Sequence, residues 1–190
     1  MQWAAELVPG LKELAPGALR VLEVGCLSPA NAVAKAPAFA VTRIDLNSQH
    51  AAIEQQDFME RPLPVGDDDR FDLVSLSLVL NYVPSPEARG EMLKRVAEFL
   101  RGEEKAGNGV CPGLFLVMPR PCVDNSRYLT EARLKEMMAS LGYRCAKTKL
   151  TAKLVYGLWV LENRDAEGRL WKKEEVKAGV SRNNFAIVMK

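Results

Sequence analysis

Apolar residues along this chain fall into short runs that stop at a glycine, an acid or a polar turn, and helical spacing recurs between the runs. Val21-Leu22-Glu23-Val24 is the first run, and Gly25 ends it where the chain must turn sharply. Ser28-Pro29 then predicts a helix start, with the serine as cap and the proline pre-set for the first turn. Phe39 to Ile44 is a second strand closing on Asp45, and Ile53 to Gln56 a short third ending at Asp57-Phe58. Phe71 to Leu80 is almost continuously apolar, as a central parallel strand covered on both faces should be. It stops at Asn81-Tyr82-Val83-Pro84. Ser85-Pro86-Glu87 repeats the cap-proline-acid start, and Met92, Leu93, Val96, Ala97 and Leu100 form one stripe along the helix that follows. Leu114 to Met118 predicts a fifth strand. Thr130 caps a helix with inner face Leu134, Met137, Met138 and Leu141, which Gly142 ends. Cys145 to Val160 alternates as one or two strands with Tyr156-Gly157 as a bend, and Phe185 to Met189 predicts a last short strand.

Three weaker signals complete the pattern. Trp3, Leu7, Leu11 and Leu14 predict two short helical pieces, punctuated by Pro9-Gly10 and Pro16-Gly17. Asn47-Ser48-Gln49 predicts a further helical turn, and Gly102 to Pro112 a flexible loop. Strands alternating with helices at this rhythm predict an α/β fold with a right-handed, mostly parallel sheet. Two strands after the last helix predict an antiparallel hairpin at its far edge.

Composition narrows this only a little. At 190 residues and 48% apolar, the chain suits a single domain, 1–190, with a real core. No apolar run reaches the length of a membrane span. The four cysteines form no C-x-x-C pair and His50 is the only histidine, so no metal site is expected and the thiols fit a reducing compartment. Cys26 reads as small packing rather than a nucleophile. Charge is uneven: residues 1–119 carry 11 basic and 16 acidic side chains, net −5, and residues 120–190 carry 15 and 8, net +7. The basic half suits a polyanion or is a solvated surface of scattered lysines.

The opening unit carries the chemistry. Strand, glycine turn, short helix, strand and terminal acid make the first βαβ unit of a nucleotide-binding sheet, where Asp45 would accept hydrogen bonds from a ribose diol. A pyrophosphate site wants three glycines so that backbone amides can approach. Here Gly25 stands alone and Pro29 has no amide hydrogen. The turn therefore suits a ligand without phosphates, such as S-adenosylmethionine, or is an ordinary strand-helix turn. Asp57 would accept from an adenine amine with Phe58 packed nearby, or Asp57 caps the turn before Arg61-Pro62.

Glu23-x-Gly25, Asp45, Asp57-Phe58 and Phe71-Asp72-Leu73-Val74 together resemble the Rossmann-like class I S-adenosylmethionine-dependent methyltransferases. More narrowly, Leu22 to Ser28, Gln56-Asp57-Phe58, Leu78 to Pro84 and Pro121 to Tyr128 are similar to the fungal 25S ribosomal RNA adenine-N1 methyltransferases. Animal relatives of that family include an S-adenosylmethionine sensor reporting to the TOR kinase complex. The resemblance implies methyl transfer from S-adenosylmethionine to N1 of an adenine in large-subunit ribosomal RNA; the alternative is a cofactor-binding sensor without catalysis. It implies a nuclear, nucleolar protein with pre-ribosomal proteins as neighbours, no membrane partner, and a core trimmed of an upstream segment. Glu23, Gly25, Asp45, Asp57 and Phe58 would bind the cofactor, Glu23 near its methionine amino end. Asn81 and Tyr82 are similar to the Asn/Asp-Pro-Pro-Tyr signature of amino-methylases, although neither central proline is present. Asn81 would bond the base edge and Tyr82 stack on it, or Asn81 caps a turn and Tyr82 packs on the next helix. Arg120 and Arg127 would meet RNA phosphates, or pair with Asp124 or Glu131. Adenine N1 already has an in-plane lone pair, so no strong base is required.

Overall fold

The computed structural model describes residues 11–31, 33–102 and 111–190. Seven strands form one sheet: β1 Leu19–Val24, β2 Phe39–Asp45, β3 Glu54–Gln55, β4 Leu73–Ser77, β5 Gly113–Pro119, β6 Tyr143–Leu150 and β7 Leu154–Leu161. Their order is β3-β2-β1-β4-β5-β7-β6. β1 to β5 pair in parallel, and β7 runs antiparallel to both β5 and β6. This is the mostly parallel α/β sheet with an antiparallel edge hairpin. The chain order reverses between β1 and β4, so the crevice at their carboxyl ends is where such a sheet takes ligands.

Three helices follow the parallel strands: α1 Pro86–Phe99, α2 Pro121–Asp124 and α3 Glu131–Ser140. The long ones begin where their caps predict. Ser85 Oγ accepts from Ala88 N at 3.0 Å and Thr130 Oγ1 from Arg133 N at 3.0 Å, satisfying amides that the first turn leaves open. Strand alternation sorts side chains into two apolar clusters. Leu22, Val74, Leu116 and Trp159 join Met92, Leu93, Val96, Leu134, Met137 and Met138 in the larger. Leu19, Leu158 and Val160 form the smaller, with Leu11, Leu14, Leu73 and Phe115 against it.

Several expectations change. The helix expected after Ser28-Pro29 is only a 3-10 turn, Val33–Lys35, because Ser28 Oγ bonds Ala30 N in a local turn and β2 begins four residues later. Leu46 and Asn47 form a turn and Ser48-Gln49 no regular element, and β3 keeps only Glu54–Gln55. β4 stops at Ser77, not Leu80, where Leu78 takes φ 60°. Tyr156-Gly157 lies inside β7, opposite Val117 and Leu116; the hairpin turns at residues 151–153 instead. Gly157 has no side chain because Trp159 lies over it, its Nε1 2.4 Å from where a Cβ would be.

Phe185 is half-buried and Ala186 to Met189 are buried, but the run forms no strand. Met189 bridges Trp171, and Val188 N donates to Pro86 O at 2.9 Å, so the run packs on α1 as the end of a strap, residues 176–189. Leu11 and Leu14 lie in a turn rather than a helix; Trp3 and Leu7, and most of the loop expected at 102–112, fall outside the described residues.

Candidate functional site

The site is assembled from what each parallel strand carries just past its carboxyl end. Gly25 ends β1 at φ +72°, and its amide and that of Cys26 both donate to Ile44 O, at 2.9 and 3.2 Å, tying the turn to β2. A Cβ on Gly25 would stand 2.5 Å from Val79 Cγ2, so this glycine also seats the chain that leaves β4. Glu23, one residue inside the strand end, is buried opposite Arg43 in the β1–β2 register. Its Oε1 accepts from Asn31 Nδ2. Its Oε2 lies 3.8 Å from Arg43 Nε, and both atoms are buried without a hydrogen-bond partner. Cys26 Sγ donates to Ser28 O and receives Asn31 Nδ2 at 3.7 Å; burial and then the Glu23 charge push its thiol up to about 11. It is a packed thiol, as expected.

On the neighbouring strands, Asp45 closes β2 and its Oδ1 accepts from Asn47 N at 2.8 Å. Gln56 N donates to Asp45 O, which brings the end of β3 alongside. Asp57 then takes the capping role left open above, its Oδ1 accepting from Met59 N at 2.7 Å. Phe58, expected to pack near the adenine, is 2% exposed, its ring tilted against Phe99 at 5.2 Å in the core with Arg95 alongside. Three apolar side chains that sequence reasoning missed line the same edge: Leu27 is 89% exposed, Leu46 67% and Leu78 37%. Each immediately follows a strand or its turn, so in the sequence they read as continuations of apolar runs.

β4 contributes Asn81 and Tyr82, four and five residues beyond its end. Leu80 is fully buried and anchors the turn, and Tyr82 N donates to Val79 O at 2.9 Å. Asn81 Oδ1 is buried with no partner, so it is not spent on capping. Tyr82 is 81% exposed and does not pack on α1. Arg89, absent from the sequence reading, holds this turn: Nε donates to Val83 O at 2.9 Å, Nη1 to Ala186 O at 2.8 Å, and Phe185 lies 4.3 Å beneath it. Arg43 and Asn31 were missed likewise, since only the strand register and the crossover bring them to Glu23.

The two arginines expected to meet phosphates are both engaged within the protein. Arg120 Nε pairs with Asp124 Oδ2 at 2.9 Å and Nη1 reaches Thr151 O, while Glu131 pairs with Lys135. Arg127 clamps the strap through Asn184 Oδ1 at 2.6 Å, Gly179 O at 3.1 Å and Val180 O at 3.4 Å. A small crevice between α3 and the hairpin, lined by Leu116, Glu131, Leu134, Tyr156 and Trp159, includes none of the candidate site residues. Among the described residues no cluster of His, Cys, Asp or Glu could hold a metal, and no helix is long and apolar enough to cross a membrane.

Comparison with known proteins gives this geometry its context. A family model described as 25S rRNA (adenine(2142)-N(1))-methyltransferase, Bmt2, matches residues 2–187. A 25S rRNA adenine-N(1) methyltransferase of Schizosaccharomyces pombe is 40% identical over 167 residues, covering 88% of this chain and 59% of that protein. The 25S rRNA (adenine(2142)-N(1))-methyltransferase of Saccharomyces cerevisiae is 37% identical over 179 residues, covering 93% of this chain and 50% of that protein. The chain thus spans little more than half the length of these relatives. Among solved structures, N-methyltransferase NodS of Bradyrhizobium japonicum, bound to S-adenosylhomocysteine, matches with TM-score 0.57 at 13% identity, covering 85% of each chain. A 16S rRNA (adenine(1408)-N(1))-methyltransferase from Catenulisporales acidiphilia matches with TM-score 0.52 at 13% identity, covering 86% of this chain and 92% of its own. At such identities these two structures speak to the fold.

Proposed function

Because the chain belongs to the Bmt2 family of 25S rRNA (adenine(2142)-N(1))-methyltransferases, we propose that it transfers a methyl group from S-adenosylmethionine to N1 of an adenine in large-subunit ribosomal RNA. One observation carries the reading. Glu23 Oε2 and Asn81 Oδ1, at the carboxyl ends of adjacent strands, are both buried acceptors without a hydrogen-bond partner, Glu23 Oε2 having only the Arg43 charge 3.8 Å away. An unsatisfied buried polar atom costs about 1–3 kcal/mol, which a ligand donor at each would recover.

The residues fit that cofactor. Glu23 offers its open oxygen to the methionine ammonium, and Asp45 faces the ribose diol. Leu27, Leu46 and Leu78 supply apolar surface for the uncharged parts. Asp57 places the end of β3 beside the adenine. When bound, S-adenosylmethionine supplies an electrophilic methyl on a sulfonium that leaves as a neutral thioether. Asn81 Oδ1 accepts from the exocyclic amine of the target adenine, and exposed Tyr82 stacks on a base lifted from its helix. With a lone pair already on N1, the protein's task is alignment rather than proton removal. The same reading implies work in the nucleolus beside pre-ribosomal proteins.

The test is methyl incorporation into large-subunit RNA lacking this modification, with N1-methyladenosine identified by mass spectrometry of digested nucleosides. Asp45→Ala should weaken S-adenosylmethionine binding roughly 10- to 150-fold, the equivalent of losing a charge-assisted contact of about 1.5–3 kcal/mol. Cofactor binding with no transfer to any ribosomal RNA would replace this reading with that of a sensor.

A further inference from the structure

Charge at the carboxyl edge of the sheet is divided. The flank at the end of β3, residues 54–61, carries Glu54, Asp57 and Glu60 against Arg61, net −2. The opposite flank is made of three segments stitched together. Arg120 N donates to Lys153 O at 2.8 Å, joining α2 to the β6–β7 turn. Asn183 Nδ2 donates to Pro121 O at 2.7 Å and Asn125 Nδ2 to Ser181 O at 3.3 Å, joining α2 to the strap. Residues 119–129, 149–154 and 176–184 carry Arg120, Arg127, Lys149, Lys153, Lys177 and Arg182 against Asp124 alone, net +5.

Carboxylates neutralise few of these cations. Elsewhere Arg43, Arg61, Arg70, Lys94, Arg101, Arg133, Lys135 and Arg144 each lie within 4.0 Å of a carboxylate, whereas Arg89, Arg95 and Arg164 bond backbone carbonyls. On this flank only Arg120 lies so close to a carboxylate. Lys177 and Arg182 reach nothing but backbone carbonyls, Arg127 only neutral oxygens, and Lys149 and Lys153 are exposed with no carboxylate partner among the described residues. Unneutralised like charges held this close repel one another, and a polyanion removes that repulsion. The flank is continuous with the Asn81–Tyr82 turn. Arg89 bridges Val83 to Ala186, and Ala186 is three residues, at most about 11 Å of chain, from Asn183.

Building on the function proposed above, we propose that α2, the β6–β7 turn and strap residues 177–184 form the track for the RNA strand carrying the target adenine. The strand lies along this flank, passes Tyr82, and is kept off the β3 flank by the acids there.

The probe is a fluorescent single-stranded RNA oligonucleotide, with its affinity for the full chain measured over a range of potassium chloride concentrations. Lys149→Gln/Lys153→Gln should flatten the slope of log affinity against log salt by about 1.4, at roughly 0.7 per cation for a single strand. Adding Lys177→Gln should flatten it by about 0.7 more. Lys94→Gln/Lys135→Gln removes the same charge from ion-paired positions and should leave the slope unchanged. Equal flattening by both pairs, or none by either, overturns the track. So does competition by polyaspartate as strong as that by unlabelled RNA, which would make the flank's partner an anion of another class. The expected slope changes without methyl transfer would sink the enzymatic reading and leave the track standing; transfer with unchanged slopes would do the reverse.

Discussion

At the scale of single residues, the contact between Gly25 and Val79 links the two halves of the site. Leu78 is in the left-handed region, which for a side-chain-bearing residue costs roughly 1–2 kcal/mol. That turn delivers Val79 against Gly25 and leaves Asn81 Oδ1 buried and open. Gly25→Ala should therefore destabilise the protein by about 1–3 kcal/mol through overpacking, besides about 1–2 kcal/mol for left-handed backbone. Val79→Ala in the same chain relieves the first cost only, so the two substitutions should be strongly non-additive. Urea unfolding of the wild type, both single variants and the double variant reads this coupling. Strictly additive losses would mean that Val79 is not what keeps a side chain out of position 25.

Among the elements, the strap rather than any strand carries the second dependency. It crosses α1 at Gly90, where a Cβ would lie 1.9 Å from Val188 O, so the helix and strap backbones touch. Gly90→Ala should push the strap off the helix and break the Val188 N–H to Pro86 O bond. Hydrogen exchange at Val188 should then rise by orders of magnitude while exchange in β1 and β4 stays slow; unchanged protection at Val188 would refute the contact. This element also shows where sequence pattern stops informing. Caps and stripes are local, so α1 and α3 are legible from Ser85, Thr130 and the spacing of Met92, Leu93 and Val96. Burial is not local. Phe185 to Met189 and Val79-Leu80 are as apolar as a strand because they pack in or against the core, yet one packs on a helix and the other fills a turn. The same distinction runs through the site. Glu23, Gly25, Asp45 and Asp57 are legible because parallel topology brings all strand ends to one edge. Arg43, Asn31 and Arg89 come from register, crossover and strap, which leave no periodic trace.

For the molecule as a whole, buried thiols set an alkaline limit. Burial holds the Cys122 thiol, like that of Cys26, up at about 11 against an ordinary 9.0, and complete burial raises Tyr143 in the same direction. Below about 9 both folded and unfolded thiols keep their protons, and stability does not depend on them. Between about 9 and 11 the unfolded chain loses protons that the folded chain retains, so stability falls as pH rises. Urea midpoints across that window should drop more steeply for wild type than for Cys26→Ala/Cys122→Ala, and parallel curves would contradict this. Strand order has a different consequence, which appears while the chain is being made. β7 lies between β5 and β6, yet it is synthesised after both. Translation proceeds at about 5–20 residues per second, so the 42 residues from Pro119 to Leu161 take roughly 2–8 s to emerge. Throughout that interval β5 presents an unpaired apolar edge, the kind of template on which other chains add strands. The nascent protein therefore needs either dilution or a holding partner until its last strand closes the sheet from within.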